Sequence, residues 1–214
     1  MEHLKYSEFI MKRIMDISYG QPFQTETIAE AMADGFGIPI YQAKSITNVT
    51  LKRLVDKGAL ERFQKGIYYR ARQTVFGKAR PSASTLEAQL LVWQGDDIIG
   101  YETGVSFMNQ IGLTTLVPKQ REIATNAYRK KISDKYIIAK KPVITVNANN
   151  YRYLQLLDVI RDLPASPVDA ENPKALLHSF VQKNALDPVE TLSYAKQHYP
   201  RKTLLNLVDV LVER

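Results

Sequence analysis

Thr25-Glu26-Thr27-Ile28-Ala29-Glu30-Ala31-Met32-Ala33, then Ile40 to Lys57, then Leu60-Glu61-Arg62-Phe63-Gln64-Lys65-Gly66-Ile67-Tyr68-Tyr69-Arg70 make up the stretch from Gln24 to Arg70 on which the fold turns. The first piece reads as a short helix, with Thr25 or Thr27 as N-cap candidates, ending near Asp34-Gly35-Phe36-Gly37. The second reads as a longer helix, preceded by Pro39 and closed at Lys57-Gly58. The third reads as two strands around a turn, with Gly66 supplying the permissive backbone. Short helix, long helix and basic hairpin in that order predict a winged helix, which sets one helix in a DNA major groove with a basic hairpin beside it.

Upstream, Leu4 to Ser18 carries Leu4, Phe9, Ile10, Ile14, Met15 and Ile17 on a broad helical stripe, stopped by Tyr19-Gly20-Gln21-Pro22. Residues 1–72 are therefore read as a winged helix-turn-helix domain, and 73–84, which lack sustained periodicity and carry Gly, Pro and Ser, as a linker. A second domain is expected over 85–214, opening with Ser84 and Glu87 spaced as a capping box. Strands are expected at 122–125, 136–139 and 143–146, and helices at 151–163, 172–183, 188–197 and 201–212. The fold class is α+β: an N-terminal winged helix-turn-helix, then a mixed α/β domain ending in a helical segment. The last helix, Arg201 to Val212, is apolar on more than one stripe and calls for burial in its own core or against another chain.

On the long helix, 100° per residue puts Tyr41, Lys44, Ser45, Asn48 and Lys52 within about 80° of arc, flanked by Gln42 and Arg53. Ala43, Ile46, Thr47, Thr50 and Leu54 fall opposite, with Leu51 at their margin. Asn pairs bidentately with adenine, Ser bonds bases or phosphates, and Lys reaches guanine or the backbone. The hairpin adds Arg62, Lys65 and Arg70, and Arg72, Lys78 and Arg80 extend phosphate contacts along the following stretch. A solvated helix face also shows Lys, Ser and Asn, so the face and the hairpin carry the reading together.

Charge agrees. The chain of 214 residues has net charge +7. Lys44 to Arg80 holds ten Lys/Arg against Asp56 and Glu61, a net +8, so the rest of the chain offsets a second basic run. That run, Lys119 to Lys141, is net +6 and contains Arg129, Lys130, Lys131, Lys135, Lys140 and Lys141. Basic charge gathered in two places is the footprint of a polyanion binder. The second run suits a nucleic-acid surface, and equally a solvated β-edge that Lys protects from aggregation.

Catalytic patterns are missing. His3, His178 and His198 have no metal-ligand spacing, and with no Cys there is no disulfide, thiol chemistry or Cys-ligated metal. Asp96-Asp97 suits a turn or helix cap, no Asp/Glu-x-Lys tripeptide occurs, and Gly104-Val105-Ser106-Phe107-Met108 lacks the second Gly of a nucleophile elbow. Gly77-Lys78 lacks the upstream Gly of a phosphate-binding loop, since Arg72 stands there. The sequence predicts no enzyme, no cofactor, no metal and no membrane span, and the absence of both cysteine and a secretory signal fits the cytoplasm.

The middle of the chain carries a resemblance. Gly100-Tyr101-Glu102-Thr103-Gly104-Val105-Ser106-Phe107-Met108-Asn109-Gln110-Ile111-Gly112-Leu113-Thr114-Thr115, followed by Leu116-Val117-Pro118 and Glu122-Ile123-Ala124-Thr125-Asn126, resembles the antitoxin of AbiE-type (type IV) toxin–antitoxin systems. Arg62 to Tyr69 matches the wing that family carries upstream, and the resemblance runs over roughly residues 5 to 145, fading over the C-terminal third. It implies a winged helix that binds inverted repeats in double-stranded DNA of its own promoter and represses it, a homodimer on the DNA being one arrangement that matches such repeats. It further implies a second domain that counters a co-encoded nucleotidyltransferase-like toxin, generally without a stable complex. The bare alternative is a winged-helix regulator whose second domain binds an effector or dimerises. Gly100, Gly104 and Gly112 are expected at turns or close packing, and Thr103, Ser106, Thr114 and Thr115 at helix caps.

Overall fold

The computed structural model describes residues 2–132 and 135–212, with side chains from Lys5 onward. The side chains of His3 and Leu4, and Asp134 of the second basic run, lie outside the described residues. The chain is α+β and divides into two compact units, Met1–Leu90 with Gln94–Asp96 and Leu91–Trp93 with Asp97–Arg214.

The first unit runs α1 (Glu2–Asp16), β1 (Pro22–Gln24), α2 (Thr25–Phe36), α3 (Ile40–Asp56), β2 (Glu61–Gln64) and β3 (Ile67–Tyr69). β1, β3 and β2 form an antiparallel sheet in that spatial order, Phe23 opposite Tyr68 and Arg62 on the other side of Tyr68. One core joins helices and sheet: Ile10 and Ile14 of α1, Ile28, Ala29 and Met32 of α2, Ala43, Leu51 and Leu54 of α3, with Phe23, Leu60 and Tyr68. Full burial of side chains such as Ile10, Met32 and Leu51 is worth about 1.5–3 kcal/mol each. Stability thus rests on the apolar faces and leaves the polar faces free for other work. Gly37, at φ 62°, ends α2 and donates its N–H to Ala33 O, and Pro39 leads into α3. The N-cap of α2 is Gln24, whose side chain makes no cap hydrogen bond. Neither threonine expected there serves, because the hydroxyl of Thr25 donates instead to Gly66 O, 3.3 Å away.

Residues 73–84, read from sequence as a linker, carry regular structure. β4 (Arg72–Thr74) and β5 (Gly77–Ala79) form an antiparallel hairpin, and α4 (Ala83–Val92) follows. The cap of α4 is Ser82, whose hydroxyl accepts from Thr85 N at 3.1 Å, rather than Ser84. The division between units falls near the end of this helix.

β6 (Trp93–Gln94) and β7 (Asp97–Ile98) make a short pair, and β8 (Gly100–Thr103) and α5 (Gly104–Gln110) follow. β9 (Arg121–Thr125) lies between β8, antiparallel, and β10 (Ile137–Lys140), parallel. Then come α6 (Tyr151–Asp162), a 3-10 turn at Leu163–Ala165, α7 (Pro173–Lys183), α8 (Pro188–His198) and α9 (Arg201–Leu211). α6 is buried from Tyr153 to Ile160 and forms the axis of the second core, with Tyr101, Phe107, Met108, Leu177, Phe180, Leu207 and Val210 among its partners. The strand expected at 143–146 does not form. Pro142 brings no N–H to a ladder, and the main chain of Val146 is satisfied by a side chain: Asn126 Nδ2 donates to Val146 O at 2.9 Å and Asn126 Oδ1 accepts from Val146 N at 2.8 Å. Among the described residues no helix is long and apolar enough to cross a membrane.

Candidate nucleic-acid interface

α3 separates its faces as its 3.6-residue period requires. Ala43, Thr47, Thr50, Leu51 and Leu54 are buried and Ile46 is half-buried. Tyr41 (75% exposed), Gln42, Ser45, Asn48, Lys52 and Arg53 are exposed. The candidate reading face therefore stands on the solvent side of a helix whose other side is fixed in the core. Lys44 stands partly apart from that set. Its ammonium pairs with the Glu26 carboxylate of α2, which raises its pKa and reduces its availability to a polyanion.

The β2–β3 hairpin is short, and its turn is tied to the start of α2. Gly66, at φ 76°, allows the turn, and its carbonyl accepts both the Thr25 hydroxyl and the Thr25 N–H, the latter at 2.8 Å. Arg62 and Lys65 are exposed on it. Arg70 departs from its expected role. Its Nη1 donates to Met15 O at 2.8 Å and Ile17 O at 2.9 Å, and its guanidinium lies 4.2 Å from the centre of the Tyr19 ring. The last carbonyls of a helix have no partner within it and carry the negative end of its dipole, so a guanidinium there is a structural cap. Arg70 is thus committed to the end of α1.

The β4–β5 hairpin stands where the sequence pattern predicts a linker. Lys78 Nζ bonds Glu61 Oε1 at 2.8 Å and Gly58 O at 3.0 Å, and Arg80 Nη2 reaches the same carboxylate oxygen at 3.4 Å. The hydrogen bond from Lys78 comes first among the causes that hold the Glu61 carboxyl below its ordinary range, against a burial effect in the other direction. Arg72 is exposed. At the tip Val75 and Phe76 are 94% and 98% exposed. The signal for this turn was Gly77 three residues after Thr74, masked by two bulky apolar residues where turns usually carry Gly, Asn, Asp or Ser.

In the second unit the basic residues are outward: Arg129, Lys130, Lys131, Lys135, Lys140 and Lys141 are all exposed. Arg129 and Lys135 lie over the rings of their neighbours Tyr128 and Tyr136, and Lys140 is paired with Glu122 at 2.5 Å. Residues of the central motif hold the fold. A Cβ on Gly100 would meet Leu91 O at 2.4 Å and Ala124 O at 2.7 Å, so only glycine lets these backbones close up. Thr115 binds Asp169 through both its N–H and its hydroxyl, and the Thr114 hydroxyl accepts from Leu116 N. Tyr101 and Tyr199 donate to the buried Asp158 at 2.8 and 3.0 Å, and Arg161 pairs with it at 2.8 Å. Burial pushes the Asp158 carboxyl up, and Arg161 and the two phenols draw it back. Burial, with Asp158 beside them, also raises both phenols.

No curated protein matches the sequence. A family model matches residues 25–162, from the first residue of α2 to the last of α6, and so takes in both the α3 face and the central motif. The chain belongs to the family of unknown function DUF6088.

Proposed function

We propose that this protein is a winged-helix DNA-binding repressor of its own promoter and the antitoxin of a type IV pair, opposing a co-encoded nucleotidyltransferase-like toxin. The observation that carries the DNA-binding half is the division of α3 into a core-fixed face and an exposed face of Tyr41, Gln42, Ser45, Asn48, Lys52 and Arg53. The order α1-β1-α2-α3-β2-β3 supports the winged-helix reading, since that arrangement presents α3 to a major groove. The antitoxin half rests on the resemblance of the central motif. The reading is of a binding protein, with no catalytic centre and no cofactor.

Two measurements on the full-length chain test the two halves. Binding to the DNA upstream of its own gene is measured by fluorescence anisotropy. Asn48→Ala should cost about 1–3 kcal/mol and relax preference at one base position, as loss of one good base contact does. Lys52→Ala should cost more than Lys44→Ala, because Glu26 already holds Lys44. Unchanged affinity in an Asn48→Ala/Lys52→Ala double variant removes α3 from the interface. For the second half, cells expressing the adjacent gene are tested for growth with and without this chain, and a toxic neighbour left unopposed defeats the antitoxin reading.

A second reading has one observation in its favour. Leu205, Val208 and Val212 on and just after α9 are exposed, on the other side from the buried Leu207 and Val210. A regulator that dimerises through its second unit, with no toxin partner, accounts for that stripe. A harmless neighbouring gene and a dimer broken by Leu205→Lys would favour it.

A further inference from the structure

We infer that the β4–β5 hairpin is a DNA wedge: its tip, Val75-Phe76, enters a minor groove and opens a base step. The inference rests on the proposed DNA-binding reading and adds a second contact element, with a different mode of action from α3.

Three observations carry it. First, the tip is built to stand out. Thr74 pairs with Gly77 across the hairpin, the Thr74 hydroxyl bonds Gly77 O at 2.7 Å, and Phe76 N donates to that hydroxyl at 3.3 Å. Gly77 takes the positive φ, 103°, that closes the loop, and Val75 and Phe76 keep ordinary negative φ. Polar residues would serve this turn at least as well, so its backbone does not call for Val or Phe. Nor does the fold, which leaves both side chains more than nine-tenths exposed. Second, the base of the hairpin is fastened. Lys78 and Arg80 grip Glu61 of β2, and Lys78 also grips Gly58 O just after α3, so the tip is carried from the same unit as the reading helix. Third, the hairpin that carries the apolar tip is cationic. Arg72 is exposed on β4, and Lys78 and Arg80, on and just after β5, share the carboxylate of Glu61, within a stretch of net charge +8.

An aromatic tip on a basic, rigid hairpin matches what a kinked duplex accepts. Cations hold the phosphates on both sides while an apolar wedge replaces part of a base stack, and the duplex bends toward the major groove. The β2–β3 hairpin cannot do this, because its turn is tied to Thr25.

The test uses the full-length protein and a mixed-sequence duplex at low salt. The duplex carries a donor and an acceptor dye at its ends and, in a second version, 2-aminopurine as a stacking reporter. Wild type should bend the duplex, by an angle of about 20–90°, and brighten the 2-aminopurine. Phe76→Ala should lose both signals and bind about ten-fold more weakly, whereas Phe76→Trp should keep them. The tip is exposed, so these changes leave the fold in place, which circular dichroism verifies. Binding and bending by wild type that Phe76→Ala does not alter overturns the wedge and leaves the α3 reading standing. Failure of wild type to bind any duplex overturns both. Binding to phosphatidylserine vesicles that depends on Phe76, alongside duplex binding that does not, reassigns the tip to a lipid surface and overturns the proposal.

Discussion

Replacing Arg70 by alanine separates two roles that are identical on paper. As a groove contact, Arg70 would be lost with little change in stability and a fall in DNA affinity. As the cap of α1, it should show the reverse. Hydrogen bonds from a charged donor are worth about 1.5–3 kcal/mol, so Arg70→Ala should lower the melting temperature while the folded fraction keeps its DNA affinity. Thermal denaturation alongside anisotropy reads both. The sequence placed Arg70 beside the hairpin correctly, but a one-dimensional pattern cannot show that Met15 O and Ile17 O lie within reach of its guanidinium. Lys44 repeats the lesson: its place on the face was legible from a 100° period, its pairing with Glu26 eighteen residues away was not. The exposure of Asn48, Lys52 and Arg53, which depends only on which side of α3 is buried, was legible in full.

At the scale of elements, long periodic segments were legible and short ones were not. α3 and α6 announce themselves through many apolar positions at helical spacing. β1 has three residues and begins with a proline that reads as a helix stop, so only its pairing with β3 reveals it. Val143 to Val146 has the composition of a strand, yet Asn126 takes the place of a neighbour and no ladder forms. β8 and β9 are joined by an ion pair whose contribution should depend on acid pH. Arg121 binds Glu102 through two bonds, at 3.1 and 2.7 Å. Burial acts against the charged form of Glu102, but hydrogen bonds from Arg121, Gln110 and Ser106, with the Arg121 charge, leave its pKa below the usual 4.5. A carboxyl whose folded pKa is depressed adds stability above its unfolded pKa and loses it as pH falls through the folded value. Glu102→Gln should therefore lower stability at neutral pH and flatten the decline below about pH 4.5, which urea titrations across pH 2–7 would detect. An unchanged acid limb would remove Glu102 from that account.

The whole molecule concentrates its charge, and on the proposed DNA-binding reading this sets how affinity should respond to salt. Polyanion binding through several phosphates loses affinity linearly in log salt, with a slope of about −0.9 per neutralised phosphate. A Lys52→Ala/Arg53→Ala variant should therefore have a shallower slope than wild type. Variants of Arg129 and Lys130, in the second unit, should leave the slope for the upstream duplex unchanged if that patch serves another partner. Anisotropy at a series of salt concentrations distinguishes the two, and equal slopes for all variants would place the phosphate contacts elsewhere. Composition made the charge pattern legible. Its assignment to separate units depended on the division of the chain, which falls near the end of α4.

The double acceptance at Gly66 O has a kinetic meaning as well. That carbonyl takes both the N–H and the hydroxyl of Thr25, and Gln24 pairs with Ile67 in the adjoining register, so the first turn of α2 and the β2–β3 turn share their fastening. Opening of either turn breaks these shared bonds. Deuterium should enter the amides of Thr25 and Ile67 at a common rate, set by one joint opening, and Thr25→Val should quicken both together. The start of α2 and the sheet should then respond to thermal agitation as a single latch.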